Sequence, residues 1–119
     1  MIWVKAPLER VLSLGVRLRQ ARERAGLVQD KPGVLIGLDE ACSSARISRY
    51  ETGVHEPPFE TARKLAQVLD VSVTYFCCED DWLANLVLRL AELTPAQRTE
   101  LTAWLDLRRR VIQPGVLRR

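Results

Sequence analysis

The sequence predicts an all-α fold, on three observations. Apolar residues recur at three- and four-residue spacing along most of the chain, glycines stand where those stretches stop, and almost no segment alternates with the two-residue period of a strand. A chain of 119 residues suits one compact domain, or a small domain with a helical appendage.

The first helix is expected over Leu14 to Ala25, with Leu14, Leu18, Ala21 and Ala25 on one face and Arg17, Arg19, Glu23 and Arg24 on the other. Val11 and Leu12 extend it backwards past Gly15. Gly26 fits the residue just beyond the helix, with Leu27 folding back. A short second helix lies near Gln29 to Ile36 and stops at Gly37, and a third ends at Thr52-Gly53. Pro57-Pro58 makes the following segment an extended loop. Helix four, from about Glu60 to Leu69, buries Ala62, Leu65, Ala66 and Leu69. Ser72 then caps a short fifth helix that turns Tyr75 and Phe76 inward. Asp80 or Asp81 starts a sixth, with Leu83, Leu86, Val87, Leu90 and Leu93 as its stripe. Thr94-Pro95-Ala96-Gln97 has the N-cap, proline and glutamine of a helix start, and the helix it opens carries Leu101, Trp104, Leu105 and Val111 up to Pro114-Gly115.

Composition narrows the function classes. A net charge of +3 permits a nucleic-acid partner without demanding one. No apolar run approaches the ~20 residues of a membrane span, and Met1 to Pro7 lacks the core and cleavage site of a secretory signal, so a cytoplasmic protein is expected. Three cysteines (Cys42, Cys77, Cys78), an odd number with two adjacent, do not resemble a disulfide framework. With one histidine and no C-x-x-C, they do not resemble a zinc site either. No metal, cofactor or catalytic residue is expected, since nucleophile elbow and Gly-rich phosphate loop are both missing.

Residues Leu14 to Phe76 resemble the helix-turn-helix domain of the Cro/repressor, or xenobiotic-response-element, family. The residues that carry the resemblance are Leu14-Gly15-x-x-Leu18-Arg19-x-x-Arg22, then Gly26-Leu27-x-Gln29, then Ile47-Ser48-Arg49-Tyr50-Glu51-Thr52-Gly53 with Pro58, and finally Glu60-Thr61-x-x-Lys64-Leu65-Ala66-x-Val68-Leu69-x-Val71-Ser72. It implies a five-helix, lambda-repressor-like domain at 1–78 and a third helix lying in the DNA major groove. The resemblance stops at Phe76; the helical period makes residues 79–119 a C-terminal helical extension, in which 79–112 are long enough for a helical hairpin. Ser44, Ala45 and Arg49 then fall where the family reads bases, and Arg46 and Ser48 flank them. Arg49 is the strongest candidate, because a guanidinium bonds guanine O6 and N7 together. Gln29, Ser43 and His55 are expected against phosphate, and Arg22 and Glu51 as an internal ion pair between helices one and three.

The chain departs from the family pattern in helix two, which holds Pro32-Gly33 in place of Leu-Ala, so that helix starts late or is distorted. The stretch from Gly37 to Ile47 is longer than the pattern: either the turn is longer, or Asp39 caps a third helix extended at its N-terminal end. Asp39 and Glu40 are unfavourable near phosphate unless they point away, and Val54-His55-Glu56 lacks the usual basic loop.

The function these readings imply is a sequence-specific DNA-binding transcriptional regulator, a repressor by analogy. The alternative is an antitoxin-like or other protein-interaction module that has lost DNA affinity. The expected partners are a palindromic operator and a second copy of the chain. Trp82, Leu86, Leu90, Leu101, Trp104 and Leu105 give residues 79–112 more apolar surface than a hairpin hides, which places the homodimer contact there. The tail arginines Arg108, Arg109, Arg110, Arg118 and Arg119 add a short basic run.

Overall fold

The computed structural model describes residues 7–109, with side chains from Leu14 to Arg109. Their order is α1 (Pro7–Arg24), α2 (Lys31–Leu35), α3 (Glu40–Glu51), α4 (Phe59–Val68), α5 (Val73–Phe76), α6 (Asp81–Ala91) and α7 (Pro95–Arg109), with no strand among the described residues. The all-α expectation therefore holds. Val111, the stop at Pro114-Gly115, and Arg110, Arg118 and Arg119 lie outside the described residues.

The chain divides into two compact units, the first ending at Leu88 and the second starting at Arg89. The core of the first unit joins Leu18 and Ala21 of α1, Ile47 and Tyr50 of α3, Ala62, Leu65 and Ala66 of α4 with Leu69 at its C-cap, Tyr75 and Phe76 of α5, Cys78, and Ala84 of α6. Local signals set the helix ends. After α1, Leu27 N–H donates to the Arg22 carbonyl (3.1 Å) and Gly26 N–H to that of Glu23 (2.9 Å), with Gly26 at φ +73, a value glycine reaches without a Cβ clash. Ser72 accepts from Thr74 N–H and Asp80 from Trp82 N–H. Thr94 and Gln97 exchange side-chain and backbone hydrogen bonds at the start of α7, a complete capping box.

The departures in helix two have a structural reason. α2 runs over Lys31–Leu35, shorter than the expected Gln29–Ile36 and starting later, with Pro32 in its first turn, where a missing N–H costs nothing. Pro32 and Gly33 are both buried. A Cβ on Gly33 would run into Ser43 Oγ, so this glycine lets α3 come close to α2. Of the two alternatives before Ile47, the helix is extended: Asp39 accepts from Ala41 N–H (3.1 Å) and α3 begins at Glu40.

Arg17 corrects the reading that put it on a solvent face. It is 4% exposed. Its Nε donates to the Cys78 carbonyl (2.8 Å), and its terminal nitrogens donate to Gln20 Oε1, Asp81 Oδ1 and the Glu79 carbonyl. Leu14, Arg17, Leu18 and Ala21 share one helical face, so the register itself turns Arg17 inward. The clamp ties the start of α6 to α1. Ala84 is then buried, with Val87 and Leu88 packed on the core. The first unit runs to Leu88, and the core-facing stripe of α6 is Ala84, Val87 and Leu88 instead of one led by Leu83, which is exposed.

In the second unit, Leu93, Gln97, Glu100, Leu101 and Trp104 line a shallow groove. Trp104, Leu105 and Leu107 of α7 are at least half exposed, and the Arg108 guanidinium stacks 4.9 Å from the Trp104 ring centre.

Two predictions follow from this packing. Gly15 sits where α1 meets the end of α3, and a Cβ there would come 2.5 Å from the Glu51 carbonyl oxygen and 2.7 Å from that of Tyr50. Helix propensity alone favours Gly15→Ala by about 1 kcal/mol. The clash is with backbone, so a net loss of about 1–3 kcal/mol is expected instead, read as a lower urea midpoint at unchanged m. Arg17→Ala leaves buried carbonyls unsatisfied and should cost about 2–4 kcal/mol, whereas Asp81→Ala, at an 85% exposed carboxylate, should cost under about 1 kcal/mol in the same urea titration.

Candidate nucleic-acid interface

The candidate residues lie on α3 and on the loops either side of it, and α1 fixes where α3 sits. Arg22 Nε donates to Glu51 Oε2 (2.6 Å) and its NH2 group to Oε1 (3.2 Å), while NH1 bonds the Leu27 carbonyl (2.9 Å). The Glu51 side chain is 4% exposed and that of Arg22 12%. The hydrogen bonds it donates to Glu51 hold the Arg22 guanidinium above its ordinary pKa, so the cation persists although burial works against it. This bidentate pair closes α1 on the C-terminal end of α3.

Gln29 continues the network towards the outside. Its Nε2 donates to Glu51 Oε1 (3.3 Å) and its Oε1 accepts from Ser44 Oγ (3.3 Å). The structure therefore brings Arg22, Glu51, Gln29 and Ser44 together in one chain of hydrogen bonds. Gln29 is half-buried and lies just before α2, in the segment preceding the Lys31 start.

Helical rotation of about 100° per residue sorts the rest of α3. Ile47 and Tyr50 are buried, and Ala45, Arg46 and Arg49 project to solvent on the far side, with Ser44 exposed and Ser48 half-buried at the margins. The guanidinium groups of Arg46 and Arg49 are in no ion pair among the described residues. Arg17, Arg19, Arg22 and Arg63 are held by Asp81, Glu23, Glu51 and Glu60 respectively. His55 is exposed, and its backbone N–H donates to the Arg49 carbonyl (3.1 Å), which seats the loop against the end of α3.

Ser43 is the candidate that the structure removes. It is fully buried, and its Oγ donates to the Asp30 carbonyl (2.6 Å), so it cannot contact phosphate. Its position four residues before Ile47 places it on the core face, a signal available in the spacing. The two acidic residues do not face the Arg49 side. The Asp39 carboxylate is engaged in the cap, and Glu40 is nine residues, or two and a half turns, from Arg49, so it projects from the opposite side of the helix. Among the described residues no group of His, Cys, Asp and Glu is arranged to hold a metal ion, and no helix is long and apolar enough to cross a membrane.

A helix held by its buried face, with small polar and cationic side chains outward, defines a DNA-binding helix-turn-helix module. Residues 13–74 match the model of the helix-turn-helix domain family. The chain belongs to this family, as a member of its XRE type. It is 30% identical over 70 residues to the HTH-type transcriptional regulator ImmR of Bacillus subtilis (strain 168), a match covering 59% of this chain and 52% of the relative. The chain thus spans about half the length of that curated relative. The fold is similar to the crystal structure of transcriptional regulator BswR, with a TM-score of 0.76 and 43% identity over 78% of this chain and 92% of that one.

Removing Glu51 strands a buried cation. Glu51→Ala should cost about 3–5 kcal/mol by urea denaturation, and adding Arg22→Ala should cost less than the sum of the single changes, because the second substitution removes the stranded charge.

Proposed function

We propose that this chain is a sequence-specific, cytoplasmic DNA-binding transcriptional regulator of the repressor kind, acting as a homodimer on a palindromic operator. The observation that supports this reading most is the outward face of α3, where Arg46 and Arg49 stand exposed beside Ser44 and Ala45, in no ion pair among the described residues. In the major groove such a face is placed to read base edges, with Arg49 bidentate to a guanine. Gln29, held against Ser44, contacts backbone phosphate and keeps that hydroxyl at the groove, and His55 lies by the C-terminal end of the same helix. The regulators named above carry the same kind of domain, which favours transcriptional control as its use.

A two-fold operator needs a two-fold protein. Residues 79–112 are the proposed contact, supported by the exposure of Trp82 and Leu83 on α6 and of Trp104, Leu105 and Leu107 on α7. Residues 110–112 of that stretch lie outside the described residues.

The test is selection of bound duplexes from a random pool, followed by affinities of variants for the selected site, its single-base variants and random duplex at one salt concentration. Arg49→Ala should lose about 1–3 kcal/mol at the selected site and relax preference at one base pair per half-site. Gln29→Ala should weaken selected and random duplex alike. An equal loss for every sequence in Arg49→Ala would make Arg49 a phosphate contact and move the readout to Ser44 or Arg46. Failure to retain any duplex would favour the protein-interaction reading.

A further inference from the structure

The helix α7 is 15 residues long and none of its side chains is buried; every residue in it but Leu101 is exposed. A helix of that length is marginal alone in water, because helices in proteins draw most of their stability from a packed apolar face. The face that lacks a cover is well defined. Leu101, Trp104 and Leu107 follow at three-residue spacing, and Trp104 and Leu107 are 52% and 59% exposed. Glu100 and Arg108 stand one turn before and one turn after Trp104, about 40° to either side of it. Glu100 lines the groove beside Trp104, and the Arg108 guanidinium lies over the indole. The ion pair within α7 joins Arg109 to Asp106, and Glu100 and Arg108 stand outside it among the described residues.

We infer that α7 pairs antiparallel with α7 of a second copy of the chain, centred on Trp104, with Glu100 of each copy set against the partner's Arg108. This rests on the homodimer reading above and assigns that contact an orientation, a register and the charges that select the partner. The pattern is self-complementary about Trp104. In an antiparallel pair with Trp104 level with the partner's Trp104, Leu101 comes level with the partner's Leu107 and Glu100 with the partner's Arg108. Two-fold symmetry repeats both contacts. Apolar side chains meet along the seam, and opposite charges meet at its rim. A parallel two-fold pair instead sets each residue level with its own copy, Glu100 with the partner's Glu100 and Arg108 with the partner's Arg108. Moving the antiparallel centre by one residue, to Ala103, sets Glu100 level with the partner's Asp106 and Arg98 with the partner's Arg108, like charges in both cases. Charge therefore favours one orientation and one register, as rim charges do between paired helices. It favours self-association as well, since a related chain without this spacing of acid and base would meet the stripe without the two ion pairs.

The test is sedimentation equilibrium of the full chain at about 0.1 M salt, where exposed charges still act over about 10 Å. Glu100 and Arg108 are exposed, so their variants leave the core of the first unit intact. Glu100→Arg should weaken the dimer about tenfold, because symmetry turns two attractive pairs into two repulsive ones, and Arg108→Glu should do the same. The double variant Glu100→Arg, Arg108→Glu restores opposite charges across the seam and should return the dimer to within about threefold of the unaltered chain. A mixture of the two single variants should form the heterodimer in preference to either homodimer, since only that pairing sets acid against base twice. A monomer throughout tens of micromolar would end the homodimer reading and this inference with it. If a dimer forms but Glu100→Arg leaves it unchanged, or the double variant stays as weak as the single ones, the antiparallel pairing is overturned and the homodimer reading stands on other residues of α6 and α7.

Discussion

The bidentate pair between Arg22 and Glu51 is the joint on which the proposed interface depends. Both charges are largely out of water, so their mutual hydrogen bonds must offset a desolvation cost of several kcal/mol per ion. The net contribution to stability is small against an apolar replacement. What such a pair provides is definition: its planar geometry sets how α1 and α3 meet. Gly15 brings the two helices to near backbone contact at the same end, and Gln29 extends the network to the outward-facing Ser44. One chain of hydrogen bonds thus links the core of the domain to the proposed reading face.

A second constraint shapes the other end of α3. The helix could grow by a turn only if α2 made room, and the Pro32-Gly33 pair makes it. Proline accepts the first-turn position of a shortened α2, and glycine accepts a close neighbour at Ser43. Ser43 in turn satisfies the Asp30 carbonyl, which the late start of α2 places next to it. The two departures from the family pattern, the altered second helix and the lengthened stretch before Ile47, are therefore one structural adjustment.

Much of the fold was legible because local chemistry and helical period agreed. The stop at Gly26, the cap at Ser72 and the capping box at Thr94 and Gln97 use only neighbouring residues, and each forms. Ion-pair geometry for Arg22 and Glu51 came from resemblance, since nothing in either segment alone brings residues that far apart in sequence together. Arg17 and Ser43 were misread for a different reason. Both are polar residues in register with buried ones, and the partners that make burial tolerable are carbonyls of distant segments, which no local pattern reveals. The same long-range bonds hold the α5–α6 junction against α1, next to the buried Ala84. The outward placement of Ala45, Arg46 and Arg49 followed from period alone once Ile47 was assigned to the core.

In the proposed function the cationic outward face of α3 meets the phosphate-flanked major groove of duplex DNA. Its most direct test is the affinity of the full chain for duplex DNA across a series of salt concentrations. Counterion release predicts a straight line of negative slope when the logarithm of affinity is plotted against that of salt, at roughly 0.9 per phosphate neutralised. A shallower slope in the Arg46→Ala, Arg49→Ala double variant would assign part of that release to this face. Affinity that does not change with salt, or a slope untouched by removing both arginines, would contradict the account.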